Sequence, residues 1–296
     1  MRVNQWPSLT RCKPLLGTYV EITAHTDGDH PLAYRDLTYC IEKAFSTIQD
    51  LHHRFNFYAE NSELSHLNRL AHLGPLAISP QLKALLLIAS EMHCHSEGLF
   101  NCGIGQCTLR LAKDQVRFGD LSDLQFLAHD HVYANRPLCL NLGGIAKGYA
   151  VDCAVDILLK EGVAAGCVNA GGDLRVFGHQ AQKIHLRMPH QCHALIELGE
   201  LQNGAVASSA NYFFSPTSAG NLGQRIIHPE QQLPSNSPHS YSVIAPQCVH
   251  ADALTKVLAL SQQIVHPCFE RYDAKPFIFY HDSNDNTNAT HKKISH

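Results

Sequence analysis

The sequence predicts an α+β fold, a mixed α/β protein with largely antiparallel or mixed sheets and packed helices. Strand patterns often occur in pairs, separated by helix patterns, which differs from the strict strand–helix–strand repeat of a parallel sheet. The chain has 296 residues and 45% hydrophobic content, which is enough for a sizeable core. We expect one domain over residues 1–280, built as two lobes, and a polar, frayed tail over residues 281–296.

Five helices are predicted from apolar residues at three- and four-residue spacing and from capping residues. The clearest pattern begins with Ser79 as N-cap and Pro80 in the first turn, and it ends before Gly98. The predicted helices cover residues 34–51, 63–70, 80–96, 145–161 and 251–262.

Strands are predicted where apolar and polar residues alternate or where β-branched and aromatic residues cluster. These segments are residues 18–24, 167–169, 174–177, 184–188, 194–198, 241–244 and 276–280. Residues 220–239 are polar and contain three prolines, so we expect a long irregular connection there. Long loops in compact domains are often functional.

Charge and hydropathy exclude two classes of partner. The formal net charge is -3 and there is no run of Lys and Arg, so we expect no nucleic-acid partner and no attraction to an anionic membrane. No segment approaches the roughly 18 consecutive apolar residues that a membrane-spanning helix needs. We therefore expect no membrane span.

The cysteines favour a reducing compartment. There are 11, an odd number, and they are scattered without a Cys-x-x-Cys pair. Residues 1–11 lack the apolar segment of a signal peptide, and Cys12 follows Arg11 rather than the small residue that precedes a lipid-modified cysteine. These features predict a cytoplasmic protein.

A histidine cluster invites a metal-site interpretation, which we reject. His93, Cys94 and His95 are consecutive at the end of a predicted helix. Consecutive side chains diverge around a helix, so these three do not converge easily on one ion. We interpret them as ordinary residues of the helix end.

Two glycine-bearing loops around one predicted helix are the strongest functional signal. Residues 141–149 read Asn-Leu-Gly-Gly-Ile-Ala-Lys-Gly-Tyr, and residues 168–176 read Val-Asn-Ala-Gly-Gly-Asp-Leu-Arg-Val. Glycines let the backbone approach a ligand closely, the start of a helix favours an anion, and Lys147 adds a positive charge. The pattern predicts a phosphorylated ligand.

Other phosphate-binding and hydrolase motifs are absent from the sequence. A Walker motif needs Ser or Thr after its lysine, whereas Gly148 follows Lys147. The dinucleotide motif Gly-x-Gly-x-x-Gly and the nucleophile elbow Gly-x-Ser-x-Gly do not occur. These absences argue against a P-loop ATPase, a dehydrogenase and a serine hydrolase.

Together with further segments in the same order, the glycine loops resemble those of the ApbE family of FAD:protein FMN transferases. The resemblance covers most of the chain. The additional segments are residues 16–20, Tyr58 with 62–68, the turn at Phe100, and residues 207–212, 225–229 and 242–254.

The resemblance implies a Mg²⁺-assisted reaction in a nucleotide cleft between the two lobes. FAD would be cleaved, and FMN would pass to a Thr or Ser hydroxyl of a flavin-acceptor protein with release of AMP. It assigns catalytic roles to Lys147 and Asp252, and metal binding to Gly144, Asp252 and Thr255. The residues it places against FAD are Leu16, Tyr58, Leu99, Phe100, Asn101, Asn141, Lys147, Asp173, Arg225 and Ile227, with Asn169, Gly171 and Gly172 shaping the adjacent loop.

The chain departs from the family pattern around the implied metal. The family spacing is Asp-x-x-x-Thr, but Lys256 occupies the threonine position and Thr255 lies about 100° away around an ideal helix. Asn101 and Asn141 stand where the family has aspartates. Arg225 and His228 stand where it has His and Asp.

These changes remove acidic groups and add basic ones. We therefore hypothesise that Lys147, Lys256 and Arg225 do part of the metal's work and that Mg²⁺ binding is weakened or lost. An ammonium group cannot coordinate a cation, but it neutralises phosphate.

Three functions remain open: an active transferase, a catalytically impaired flavin-binding or scaffold member of the family, and an FAD pyrophosphate hydrolase.

Single residues also have structural interpretations. Tyr58 fits a half-buried aromatic, Lys147 a solvated helix residue, and Asp173 a turn residue or a brace for Arg175. A polar cluster fits either phosphate binding or turn capping, and its members are Ser208, Ser209 and Asn211.

Overall fold

The computed structural model describes residues 8–26, 34–109, 118–187, 195–210 and 226–280. Within these ranges the α-helices are α1 (Tyr34–Phe55), α2 (Glu63–Leu70), α3 (Pro80–His95), α4 (Gly105–Thr108), α5 (Ala146–Lys160), α6 (Cys248–Ser261) and α7 (Pro267–Arg271). The strands are β1 (Ser8–Leu15), β2 (Thr18–His25), β3 (Leu76–Ala77), β4 (Leu124–Phe126), β5 (His131–Ala134), β6 (Ala165–Ala170), β7 (Asp173–Gly178), β8 (Gln182–Arg187), β9 (Leu195–Leu201), β10 (Gly204–Ala210), β11 (Ile227–His228), β12 (Leu233–Pro234), β13 (Ser240–Ala245) and β14 (Lys275–Phe279).

One large sheet organises the described part of the chain. Its strand order is β1-β2-β6-β7-β10-β13-β14, and every neighbouring pair is antiparallel. Smaller sheets pair β3 with β5 and β4, β8 with β9, and β11 with β12. The predicted α+β class with largely antiparallel sheets is confirmed.

Tight turns join neighbouring strands of the large sheet. Leu15 pairs with Thr18 across a two-residue turn at Leu16 and Gly17. Ala170 pairs with Asp173 across the Gly171–Gly172 turn. Gly171 has φ of +65°, and a Cβ added there would meet the Thr18 side chain, so only glycine fits. The two turns therefore lie next to each other.

Helices α1, α5 and α6 form the packed layer over this sheet. Helix α1 packs on α5, α5 on α6, and α6 on strands β10 and β13. The interface is made of small and branched apolar residues, each of which is buried: Ala150, Val151, Ala154, Val155, Ala251, Leu254, Val257 and Leu258. Burial of each branched side chain contributes about 1.5–3 kcal/mol.

Helices α5 and α6 meet closely near their N-termini. A Cβ added at Gly148 would collide with the carbonyl oxygen of Cys248, so the two backbones touch at this glycine. The Asp152 carboxylate accepts hydrogen bonds from the N–H groups of Cys248 and Val249 at 3.0 and 2.8 Å. These are N–H groups of the first turn of α6, which have no partner within the helix.

Most of the predicted elements are present at close to their predicted bounds. Helix α2 has the predicted bounds, and Ser79 caps α3 by accepting from the Leu82 N–H at 3.2 Å. The predicted strands correspond to β2, β6, β7, β8, β9, β13 and β14, although Met188 and Ala194 lie outside the described residues.

Two strands of the large sheet were not predicted. Strand β1 lies at the edge of the sheet and is mostly exposed, so its sequence lacks an apolar face. Strand β10 reads Gly-Ala-Val-Ala-Ser-Ser-Ala, where small residues hide the strand signal although four of its positions are buried. The predicted irregular connection over residues 220–239 contains the short β11–β12 hairpin in its described part.

The histidine cluster at the end of α3 points its rings to different partners. His93 Nδ1 lies 2.9 Å from the Phe100 carbonyl oxygen, and His95 Nδ1 lies 2.8 Å from the Tyr272 hydroxyl.

Among the described helices, none has the length and hydropathy needed to cross a bilayer. The predicted two-lobed domain over residues 1–280 stays a prediction, and the predicted tail over 281–296 is outside the described residues.

Candidate active site

A cavity of about 1280 Å³ lies where the turns of the large sheet meet the N-terminal half of α5 and one face of α6. This volume exceeds the roughly 300–1,000 Å³ typical of sites for drug-sized ligands. The cavity brings together residues that are far apart in the sequence. Nine predicted site residues line it: Leu16, Tyr58, Leu99, Phe100, Asn101, Asn141, Gly144, Lys147 and Ile227.

The first charged pair of the site joins α5 to the β6–β7 turn. The Lys147 ammonium group donates to Asp173 Oδ2, and the Asp173 carboxylate is almost fully buried. Asp173 Oδ1 accepts from the Ser208 N–H at 3.3 Å. The carboxylate therefore holds Lys147 at the cavity wall and ties it to strand β10.

Asp173 does not brace Arg175. Arg175 instead donates to Asp152 at 3.0 Å, on the helix side of the sheet. The structural interpretation of Asp173 as a partner of Arg175 is therefore wrong. Residues two apart in a strand point to the same face, so both side chains meet α5, but they contact different residues of it: Asp173 pairs with Lys147 and Arg175 pairs with Asp152.

The second charged pair lies within α6. The Lys256 ammonium group donates to Asp252 Oδ1 and, at 2.9 Å, to the Asp252 carbonyl oxygen. Asp252 Oδ2 accepts from the Gly148 N–H at 3.0 Å. The exposed fraction of the Asp252 side chain is 0%, whereas that of Lys256 is 19% and Lys256 lines the cavity.

The two pairs are electrostatically linked. Burial alone would raise the pKa of Asp252, but the nearby Lys147 and Lys256 ammonium groups outweigh it and hold the pKa below its usual value. Burial lowers the pKa of Lys147, against the opposing effect of the Asp252 charge. Helices α5 and α6 thus present two lysines to one wall of the cavity, each held by a buried aspartate.

The loop before α5 is ordered by its own asparagine. Asn141 Oδ1 accepts from the Gly143 N–H at 2.9 Å, and the Asn141 amide group donates to the Thr108 hydroxyl at 3.4 Å. Gly143, Gly144 and Ala146 line the cavity beside Lys147. A helix N-terminus is a favourable place for an anion, because its N–H groups point outward and its dipole is positive there.

Asn101 has a comparable local role. Its amide oxygen accepts from the Gly103 N–H at 2.7 Å, and its amide nitrogen donates to Asp120 Oδ2 at 3.0 Å. Both polar functions of this side chain therefore shape the loop after Phe100. The loop in turn forms part of the cavity wall.

Another part of the cavity lining is apolar and aromatic. Tyr58 is 64% exposed, and its ring meets the Phe57 ring edge-on with centroids 5.4 Å apart. Leu16 has a φ of +56°, an uncommon backbone conformation for a branched residue. A half-exposed aromatic pair and a strained leucine at a cavity mouth offer a surface for a flat ring.

The residues to which the resemblance assigns a metal do not fit Mg²⁺ in this chain. Magnesium requires oxygen ligands in near-octahedral geometry. Both Asp252 oxygens are already hydrogen-bonded, and the Thr255 hydroxyl donates to the Asp252 carbonyl oxygen at 2.7 Å and accepts from Ser209 at 2.8 Å. An ammonium group, that of Lys256, lies where a cation would have to meet the Asp252 carboxylate.

The remaining predicted residues have mixed outcomes. Ser208 and Ser209 line the cavity, and Ser208 Oγ lies 2.8 Å from Ser242 Oγ. Arg225 and Asn211 lie outside the described residues. Asp173, Asp252 and Thr255 do not line the cavity and are buried behind it.

Sequence reasoning missed one wall of the cavity. His185 and Leu186 of β8 and Leu195 of β9 line it, although no motif marks them. Their place depends on how the β8–β9 hairpin folds over the large sheet, which local sequence patterns do not encode. Phe55 and Phe57, at the end of α1, were missed for the same reason.

Comparison with known proteins identifies the family of this chain. The family model described as the ApbE family matches residues 16–264. The FAD:protein FMN transferase of Chlamydia pneumoniae is 27% identical over 238 residues, which is 74% of this chain and 74% of that protein. The FAD:protein FMN transferase of Rhodobacter capsulatus is 24% identical, and the match covers 86% of this chain and 52% of that protein.

The fold is also shared with solved structures. The apo form of Pseudomonas stutzeri flavinyl transferase ApbE superposes with a TM-score of 0.78 at 19% identity, covering 96% of this chain and 94% of that one. The flavin transferase ApbE of Vibrio cholerae superposes with a TM-score of 0.74 at 20% identity, covering 92% and 93%. Since the family model spans well over half of the sequence, this chain belongs to the ApbE family.

Proposed function

We propose that this chain cleaves FAD and transfers its FMN half to a Thr or Ser hydroxyl of an acceptor protein, with release of AMP. The observation that carries the proposal is the pair of lysines on one cavity wall, each held by a buried aspartate. Relatives in the same family are FAD:protein FMN transferases. We also propose a cytoplasmic location, because the scattered cysteines suit a reducing compartment.

The polarity of the cavity lining supports one orientation of FAD. We place the diphosphate beside Lys147, Lys256 and the N-terminus of α5, where two lysine side chains line the cavity. A ring of the dinucleotide belongs against Tyr58 and Leu16, where the wall is apolar and aromatic.

The chemistry is displacement at the phosphorus of the FMN half. The acceptor oxygen forms a new P–O bond, the bridging P–O bond of the diphosphate breaks, and AMP leaves with that electron pair. One proton is released overall. The lysine ammonium groups stabilise charge on the phosphate oxygens as the bridge breaks, which is the main contribution that a protein makes to phosphoryl transfer.

Asp173 and Asp252 are positioning residues in this scheme. Each is buried and holds a lysine by an ion pair, so neither is available to accept the acceptor's proton without losing that pair. The reacting groups are therefore lined up by lysines whose own positions are fixed. Preorganised charge of this kind needs no rearrangement during the reaction.

Transfer is tested by incubating the protein with FAD and a candidate acceptor that carries a Thr-containing target site. The expected result is a fluorescent acceptor band in a denaturing gel and an equal amount of AMP. Lys147→Met should lower the rate by about 100-fold or more, the effect of removing one donor to a developing oxyanion. Lys160→Met is the matched control, because Lys160 is exposed at the end of the same helix and does not line the cavity.

Two other results would contradict the proposal. AMP and free FMN without a labelled acceptor would indicate an FAD pyrophosphate hydrolase. Bound FAD without any AMP, tested against several acceptors, would indicate a flavin-binding or scaffold protein.

A further inference from the structure

Lys256 occupies an unusual position on α6. It reaches back one helical turn and donates to both the carboxylate and the carbonyl oxygen of Asp252. An ammonium group has three donors, so two are used in these contacts and one remains for a ligand in the cavity that Lys256 lines. Lys256 is thus held by Asp252 and still has one N–H donor for a ligand.

The packing around Lys256 supports a specific role. A Cβ added at Gly144 would lie 3.4 Å from Lys256 Cε and 3.7 Å from the Phe100 ring. The lysine stem therefore runs along the glycine loop that precedes α5. This places its ammonium group between Asp252 and the loop, at the point where a bound phosphate would meet α5.

The side-chain oxygen atoms around this point already have hydrogen-bonding partners within the protein. The Asp252 carboxylate is neutralised by Lys256 and accepts a hydrogen bond from the Gly148 N–H, and the Thr255 hydroxyl is hydrogen-bonded to Ser209 and to the Asp252 carbonyl oxygen. Of the His, Cys, Asp and Glu residues that the structure describes, no three are grouped so as to hold an ion. A divalent cation would have to displace Lys256 to reach the carboxylate.

The local charge also depends on Lys256. The ammonium groups of Lys147 and Lys256 balance the carboxylates of Asp173 and Asp252. Without Lys256 the wall would carry an excess negative charge, which would repel a diphosphate at short range.

We propose that the Lys256 ammonium group replaces a divalent cation in this chain, so that it binds the diphosphate of FAD through protein donors alone. The inference rests on the proposed FAD site and adds that the site is independent of metal. It assigns to Lys256 the direct contact with the diphosphate, while Asp252 positions the lysine.

The test is calorimetric titration of the full-length protein with FAD, in EDTA and in excess MgCl₂. The wild-type dissociation constants are expected to agree within about threefold, since no metal takes part in binding. Lys256→Met should weaken FAD binding by about tenfold to a hundredfold in EDTA, because a charge-assisted hydrogen bond to phosphate is lost. Lys160→Met should bind FAD as the wild type does.

Lys256→Thr gives the sharper comparison. It places a hydroxyl four residues after Asp252 and frees the Asp252 carboxylate, creating two neighbouring oxygen ligands. We expect this variant to bind FAD weakly in EDTA and to recover when MgCl₂ is added. If MgCl₂ does not change the FAD affinity of Lys256→Thr, the result would contradict the proposal that Lys256 replaces a cation.

Removing Lys256 leaves Asp252 buried without its partner, so the folded state needs its own control. The double variant Asp252→Asn/Lys256→Met removes both charges and is expected to remain folded, to bind FAD weakly, and to gain nothing from MgCl₂. Thermal unfolding checks the folding of each variant.

The outcomes separate this inference from the proposed function. If wild-type protein binds FAD only with MgCl₂, or if Lys256→Met binds FAD in EDTA as tightly as wild type, Lys256 does not replace a cation although the FAD site stands. If FAD does not bind in either buffer, both the FAD site and this inference are wrong.

Discussion

Asp252 of α6 accepts a hydrogen bond from the backbone N–H of Gly148 in α5, at 3.0 Å. The exchange is mutual, because Asp152 of α5 accepts from the first N–H groups of α6. Each helix thus supplies a carboxylate to the N-terminal turn of the other. The N–H groups there have no partner within their own helix, and the helix dipole is positive. This exchange fixes the two helices that carry Lys147 and Lys256.

Asp152→Asn should destabilise the protein by about 2 kcal/mol, because an amide can accept only one of the two N–H bonds and loses the ion pair with Arg175. The free energy of unfolding is measured by urea denaturation. Asp156→Asn is the control: Asp156 lies on the same helix, 3.8 Å from Arg175, but is 70% exposed. It should change stability by no more than about 0.5 kcal/mol. Equal effects of the two changes would contradict the capping role of Asp152.

Gly148→Ala should destabilise the protein by about 1–3 kcal/mol, because the new methyl group collides with the Cys248 carbonyl oxygen and forces α5 and α6 apart. FAD affinity should fall as well, since the separation moves Lys147 relative to Lys256. Gly74→Ala is the matched control, as a Cβ there meets no atom within 4 Å. Urea denaturation and FAD titration of both variants test the prediction. Wild-type stability in Gly148→Ala would show that the helices do not meet as described.

The sequence alone was informative where local rules decide the structure. Helix α2 and the N-cap of α3 follow from local apolar spacing and capping residues. The glycine loops around α5 also identified the cavity wall. In each case the relevant residues are close in the chain.

The parts that could not be predicted depend on contacts between distant segments. Lys147 pairs with Asp173 because strands β6 and β7 place their turn over α5, and spacing in the sequence gives no sign of this. Strand β10 was not predicted because its small residues, which pack closely under α6, give no strand pattern in the sequence. The β8–β9 wall of the cavity is a third case of this kind.

The pH dependence of stability should report the charge on Asp252. Its pKa is lower in the folded protein than in the unfolded chain, so folding favours the ionised form. The contribution of Asp252 is therefore complete above its unfolded pKa of about 3.9 and is lost as the pH falls through the lower folded value. Urea denaturation of wild type and Asp252→Asn over this acid range tests the sign: the stability advantage of wild type should shrink as the pH falls. A constant difference would mean that the carboxylate is not stabilised by the lysines.

Leu16 combines a strained backbone with a place at the cavity. Leu16 and Gly17 have φ of 56° and 71°, and they form the two-residue turn between β1 and β2. Such turns favour Asn or Gly at the first position, because a left-handed conformation costs a leucine about 1–2 kcal/mol. The leucine side chain packs on the core and lines the cavity. We therefore expect Leu16 to contribute to ligand binding.

Leu16→Asn should therefore separate stability from binding. Relief of strain should leave the free energy of unfolding unchanged or raise it by up to about 1 kcal/mol. Loss of the apolar contact should weaken FAD binding by about threefold to tenfold, in line with the area a leucine covers. Gln232→Asn is the control, since Gln232 also has a positive φ of 52° but does not line the cavity. It should relieve strain without changing FAD affinity. If Leu16→Asn binds FAD as wild type does, the strained turn has a structural origin and Leu16 makes no contact with the ligand.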